Sequence, residues 1–174
     1  TNIKELEFCD TDSSVVFANN NCDRLDHDDG VLLVEPYLYK NLTKQGGYNY
    51  DVVNTLYTDM REKKDIFIPI NVTSCHWILA IVRLNLDNLS SPITTIFYDS
   101  LSNNDTNKLY DIAGVLKKYM EDHIWPQKEK KIEFFRAANK RQTVTNQIDS
   151  CVFVMIIMYN KLKKWPLCFN QTYI

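Results

Sequence analysis

No apolar run in this 174-residue chain is long enough to cross a bilayer: the longest, Cys151 to Tyr159, has nine residues, against the roughly 20 a membrane-spanning helix needs. The opening stretch, Thr1 to Asp12, is acidic and lacks the basic-then-apolar order of a secretory signal. No membrane association is therefore expected, and the expected setting is the reducing interior of the cell, nucleus or cytoplasm. The cysteines (Cys9, Cys22, Cys75, Cys151 and Cys168) are odd in number, and no pair has C-x-x-C spacing, which argues against a disulfide framework. Cys75 and His76 are adjacent and cannot comfortably reach one tetrahedral ion, and no second ligand pair follows at finger spacing. No metal and no other cofactor is expected. Internal repeats and long linkers are also missing. The basic residues Lys128, Lys130, Lys131, Lys140 and Arg141 are scattered among acidic ones with no recognition motif beside them, so nucleic acid is not an expected partner.

What remains is a composition near the globular average, 45% hydrophobic and 24% charged. The length suits one domain over residues 1–174 that builds its core without staples, and a monomer is expected. Charge is unevenly spread. Residues 1–60 carry four basic and 11 acidic side chains, residues 61–114 five and six, and residues 115–174 11 and five. Two faces of unlike charge on one domain explain this, and the polarity also suits docking of a charged protein partner.

Residues 9–30 are rich in Asp, Asn and Ser and read as irregular. The stretch from Val31 to Leu42, with Pro36 inside it, predicts a helix after a short turn. Asp51 can cap a second short helix to about Met60. Asp65 to Ile70 is a strand candidate, edge-like because of Pro69, and Trp77 to Val82, apolar on both faces, predicts a central strand. Ile93 to Tyr98 is rich in β-branched and aromatic residues and predicts the next strand. A helix should follow from Asn104 or Asp105 to about Glu121, with Leu109, Ile112, Leu116 and Tyr119 at helical spacing, then a strand over Ile132 to Arg136. From Cys151 to about Lys163 the pattern is apolar around most of a helix, which predicts a buried helix ending before Pro166.

Two strands place chemistry at one end of this sheet. His76 precedes the first and Asp99 follows the second. In a hairpin with its turn between Asn88 and Leu89, paired residue numbers sum to 177, and a slightly earlier turn brings His76 and Asp99 level. Either way an imidazole and a carboxylate come within side-chain reach, and Asp99 is expected to accept the Nδ1–H and fix the tautomer. Cys151 follows two good capping residues, Asp149 and Ser150, and so falls in the first turn of the apolar helix, where free N–H groups and the helix dipole favour a thiolate. Gln147, just upstream, has an amide that can join the Cys151 N–H as an oxyanion hole. Histidine, carboxylate and cysteine form the parts list for acyl transfer. The plain alternative is a small core cysteine beside a surface His–Asp pair.

Ile68-Pro-Ile-Asn71 followed by His76-Trp77, then Tyr98-Asp-Ser-Leu101, then Gln147 ahead of Cys151 and Phe153, resembles the Ulp/SENP-type proteases specific for ubiquitin-like proteins. The likeness runs from about Val31, with residues 1–30 divergent, to Gln171. It implies an α+β, papain-like cysteine protease fold in which a small mixed β-sheet packs against a central catalytic helix. By the resemblance, Cys151 is the nucleophile, His76 the general base and acid, Asp99 its orienting partner and Gln147 the oxyanion donor. Trp77 would cover a channel admitting a Gly-Gly tail. The implied partner is a ubiquitin-like modifier, SUMO first with NEDD8 or ubiquitin as alternatives, together with its conjugates. The implied activity is removal or maturation of that modifier. The family pattern Asp-Cys-Gly is replaced here by Asp149-Ser-Cys-Val152, Gln147 lies closer to the cysteine than usual, and no Trp precedes Trp77. Two other functions are open to such a chain: an acyltransferase or deubiquitinase effector on the same scaffold, and a catalytically weak binder of ubiquitin-like proteins.

Overall fold

The computed structural model describes residues 2–6, 30–43, 58–73, 76–88, 90–100, 106–125, 130–137 and 150–164. Its strands are β1 (Ile3–Leu6), β2 (Val31–Leu33), β3 (Asp65–Thr73), β4 (His76–Arg83), β5 (Ile93–Asp99) and β6 (Ile132–Ala137). They form a six-stranded sheet in the order β1-β6-β5-β4-β3-β2. The sheet is mixed: β3, β4 and β5 run antiparallel to their neighbours in that trio, while β1 on β6, β6 on β5 and β2 on β3 are parallel. Among the described residues, three α-helices accompany it, α1 (Leu38–Leu42), α2 (Thr106–Tyr119) and α3 (Ser150–Leu162).

The apolar alternation of the strands explains the layering. On β3 and β4, Ile66, Ile68, Ile70, Ile78, Ala80 and Val82 point to one side and share a core with Leu38 and Leu42 of α1 and Leu109, Ile112 and Leu116 of α2. Their neighbours Phe67, Leu79 and Ile81, with Ile96 and Tyr98 of β5, point to the other side and meet Phe153, Val154 and Ile157 of α3. A sheet covered on both faces needs apolar residues at every position of its inner strands, which is the pattern of β4. Each buried side chain of this size contributes roughly 1.5–3 kcal/mol.

Several expectations are refined. Val31–Leu42 is a three-residue strand, a turn and a five-residue helix, because Pro36 bars the helix from reaching back to Val31. Asp65–Thr73 is not a simple edge strand, since β2 pairs with Asp65, Ile66 and Phe67. That pairing ends before Pro69, which lies opposite Leu79 of β4. The Val34 N–H reaches the Phe67 carbonyl at 2.9 Å, so the peptide groups of alternate residues from Phe67, Pro69 included, face the β2 side. The proline thus lacks a donor where β2 has already stopped. The helix predicted from Asp51 lies mostly outside the described residues, which show only a 3-10 turn at Thr58–Glu62. α2 continues into one π-helical turn, Met120–Ile124, closed by the Trp125 N–H on the Met120 carbonyl at 2.7 Å. α3 is buried along one side only: Met155, Tyr159 and Leu162 are exposed, because a helix lying on a sheet presents a single face to it.

Candidate active site

The paired numbers of β4 and β5 sum to 177 along the whole ladder, with Asp99 opposite Ile78. His76 and Ile78 share a face of β4, so the imidazole reaches diagonally across to the carboxylate. Its Nε2 lies 3.0 Å from Asp99 Oδ1, and both residues are buried, at 8% and 7% exposure. The ring is turned opposite to expectation. Nε2, not Nδ1, meets Asp99, and among the described residues the buried Nδ1 has no hydrogen-bond partner. The carboxylate therefore holds Nε2–H, which selects the tautomer with its free lone pair on Nδ1.

α3 begins at Ser150, so Cys151 stands in its first turn. Cys151 is not in a disulfide and is partly exposed. The link between this helix and the histidine strand is direct: the Trp77 N–H donates to Ser150 Oγ at 3.0 Å. The residue after His76 is thus hydrogen-bonded to the residue before Cys151. Bond lengths along that path keep the His76 and Cys151 Cα atoms within about 12 Å. Trp77 is half-buried against the α3 side of the sheet. Gln147 lies outside the described residues, as do Cys9, Cys22, Cys75 and Cys168. Sequence reasoning took Ser150 for a helix cap and missed its bond to the strand, since nothing in a one-dimensional pattern shows which donor a buried hydroxyl will meet.

The far end of β4 carries a different pair. Arg83 Nε donates to Asp65 Oδ1 at 2.8 Å, with side chains 49% and 21% exposed. Between the two ends, Lys161 of α3 sits over the Tyr98 ring at 5.6 Å. Burial pushes the Tyr98 hydroxyl up to about 12, Arg83 opposing and Asp65 adding to the shift. Burial also lowers Lys161, with Arg83 reinforcing and Asp65 opposing. Among the described residues no group of three or more His, Cys, Asp and Glu side chains is placed to hold a metal ion, and no helix is long and apolar enough to cross a membrane.

A mixed sheet with an imidazole–carboxylate pair at one end, and a helix on its face whose first turn carries a cysteine outside any disulfide, is the α+β architecture of papain-like cysteine proteases. The description "Ulp1 protease family, C-terminal catalytic domain" matches residues 29–160, and the chain belongs to that family. Among solved structures it is similar to the SUMO protease Ulp1 with its catalytic cysteine oxidised to a sulfenic acid (23% identity, TM-score 0.63, covering 82% of this chain and 62% of that one). It is also similar to the C-terminal Ulp1 protease domain in complex with Smt3, the yeast ortholog of SUMO (23%, TM-score 0.61, 80% and 60%). A further likeness is to the Xanthomonas campestris effector protein XopD bound to ubiquitin (17%, TM-score 0.51, 78% and 64%). The chain thus spans 62% and 60% of the two Ulp1 chains. Curated protein sequences yield no match.

Proposed function

We propose that the chain is a thiol protease that cleaves after the C-terminal Gly-Gly of a ubiquitin-like modifier, SUMO-type in the first instance, to mature it or to release it from conjugates. The observation that carries this reading is the hydrogen-bonded junction of the two segments: His76 buried against Asp99 at 3.0 Å, and the Trp77 N–H tied to Ser150 at 3.0 Å, one residue before the Cys151 thiol. In the proposed reaction His76 Nδ1 takes the Cys151 proton, and the thiolate attacks the carbonyl carbon of the terminal glycine. Asp99, on Nε2–H, stabilises the resulting imidazolium. The Cys151 N–H and the Gln147 amide receive the oxyanion. Collapse breaks the C–N bond, the imidazolium protonates the departing amine, and a water deprotonated by His76 hydrolyses the thioester. The half-buried Trp77 would wall the channel for the two glycines, which alone lack a side chain to clash there.

The SUMO preference is supported by likeness to a protease solved with Smt3, and ubiquitin is the alternative suggested by the effector neighbour. The proposed enzyme acts as a monomer in nucleus or cytoplasm. Fluorogenic C-terminal amides of SUMO, NEDD8 and ubiquitin test the reading. The wild-type chain is expected to turn over the SUMO amide fastest, and Cys151→Ala to abolish turnover while keeping the fold by circular dichroism. Turnover unchanged in Cys151→Ala, or none by the wild type on any of the three, refutes it.

A further inference from the structure

We infer that Ser150 is a positioning residue: by accepting the Trp77 N–H, its hydroxyl sets the separation of the Cys151 thiol from the His76 ring. The inference rests on the roles proposed for Cys151 and His76. Ser150 is wholly buried, at 0% exposure, and a buried hydroxyl is costly unless it is hydrogen-bonded. Its partner is the main-chain N–H one peptide beyond His76, at 3.0 Å. The apolar contacts of Phe153, Val154 and Ile157 hold α3 on the sheet, but they are non-directional and lie deeper in the helix, so they tolerate small slides and rolls. The Ser150 bond is directional and acts in the turn that carries the nucleophile. Displacements of about 1 Å at a reacting pair cost on the order of 10²-fold in rate, so a single bond at this point is enough to matter.

The test reads the thiol directly in the full chain. Iodoacetamide alkylation at pH 6.5 is followed at the Cys151 peptide by mass spectrometry, because a thiol without an imidazole partner is mostly protonated and slow there. Ser150→Ala is expected to slow alkylation about 10-fold. Ser150→Thr and Ser150→Val are nearly equal in volume and differ in the oxygen, so any cost of bulk is common to both. Threonine is expected to react within about threefold of the wild type and valine about 10-fold slower. In a His76→Ala background, Ser150→Ala should change the rate no further. Wild-type rates in Ser150→Ala, equal rates in the Thr and Val variants, or the same loss without His76 would each overturn the inference. On a modifier amide the same substitution should lower kcat and leave KM unchanged. Alkylation needs no modifier, so a chain that cleaves no ubiquitin-like substrate defeats the proposed function while Ser150 is still judged on its own.

Discussion

The two ends of β4 each carry a hydrogen-bonded side-chain pair of nearly equal length, and they differ in almost everything else. His76–Asp99 spans 3.0 Å with side chains 10% and 6% exposed, whereas Arg83–Asp65 spans 2.8 Å with side chains 49% and 21% exposed. Distance therefore does not separate the pair proposed to be catalytic from the ordinary one. Burial does. Water screens the outer pair and leaves it with little net energy, while the inner pair sits where a removed partner strands a polar group in a low-dielectric interior. The inner pair is also anchored to a second element through Trp77 and Ser150, which brings a thiol-bearing helix turn to the same end of the sheet.

The largest contrast is expected at Asp99. Asp99→Asn keeps the shape but loses the charge that stabilises an imidazolium, so kcat on a modifier amide should fall by on the order of 10²–10⁴-fold. A loss below about threefold would remove the functional distinction between the ends. A middle-sized effect is expected at Tyr98. Its hydroxyl titrates at about 12 in the fold against about 10 in the unfolded chain. Between these values the unfolded state releases its proton and the folded state keeps it, so the contribution is whole below pH 10 and lost as pH rises through 12. Urea unfolding of wild type should therefore lose about 2–3 kcal/mol across that window that Tyr98→Phe does not lose. Parallel curves for the two proteins would contradict this. The smallest effect belongs to the exposed pair: Asp65→Ala should cost no more than about 1 kcal/mol in urea unfolding and leave kcat unchanged. A larger cost would mean that burial is the wrong criterion.

Much of this was readable from the chain because the informative segments are locally self-consistent. The double-sided apolar run of β4 and the β-branched run of β5 predict their strands. Of the two turn centres the sequence leaves open, the one between Asn88 and Leu89 gives the observed register of 177, not the slightly earlier one that would set His76 level with Asp99. Leu109, Ile112, Leu116 and Tyr119 repeat at helical spacing and are all buried in α2 or its end. The misreadings share a cause. Whether Pro69 lies at an edge depends on where β2 stops, and β2 belongs to a distant part of the chain. Which face of α3 is covered depends on the sheet beneath it, so Met155, Tyr159 and Leu162 read as core although they face outward. The ring orientation of His76 and the partner of Ser150 are set by tertiary contacts with no local signature. The proposed role of Gln147 rests on sequence alone, since that residue lies outside the described ones.

The central claim is that the sulfur of Cys151 is the acyl-accepting atom of a peptidase for ubiquitin-like modifiers. A SUMO-type modifier carrying a C-terminal electrophile, incubated with the wild-type chain and mapped by peptide mass spectrometry, tests it most directly. The account predicts one covalent adduct, on Cys151, that disappears in Cys151→Ala and slows sharply in His76→Ala. Binding without an adduct, or an adduct on another cysteine, would contradict it.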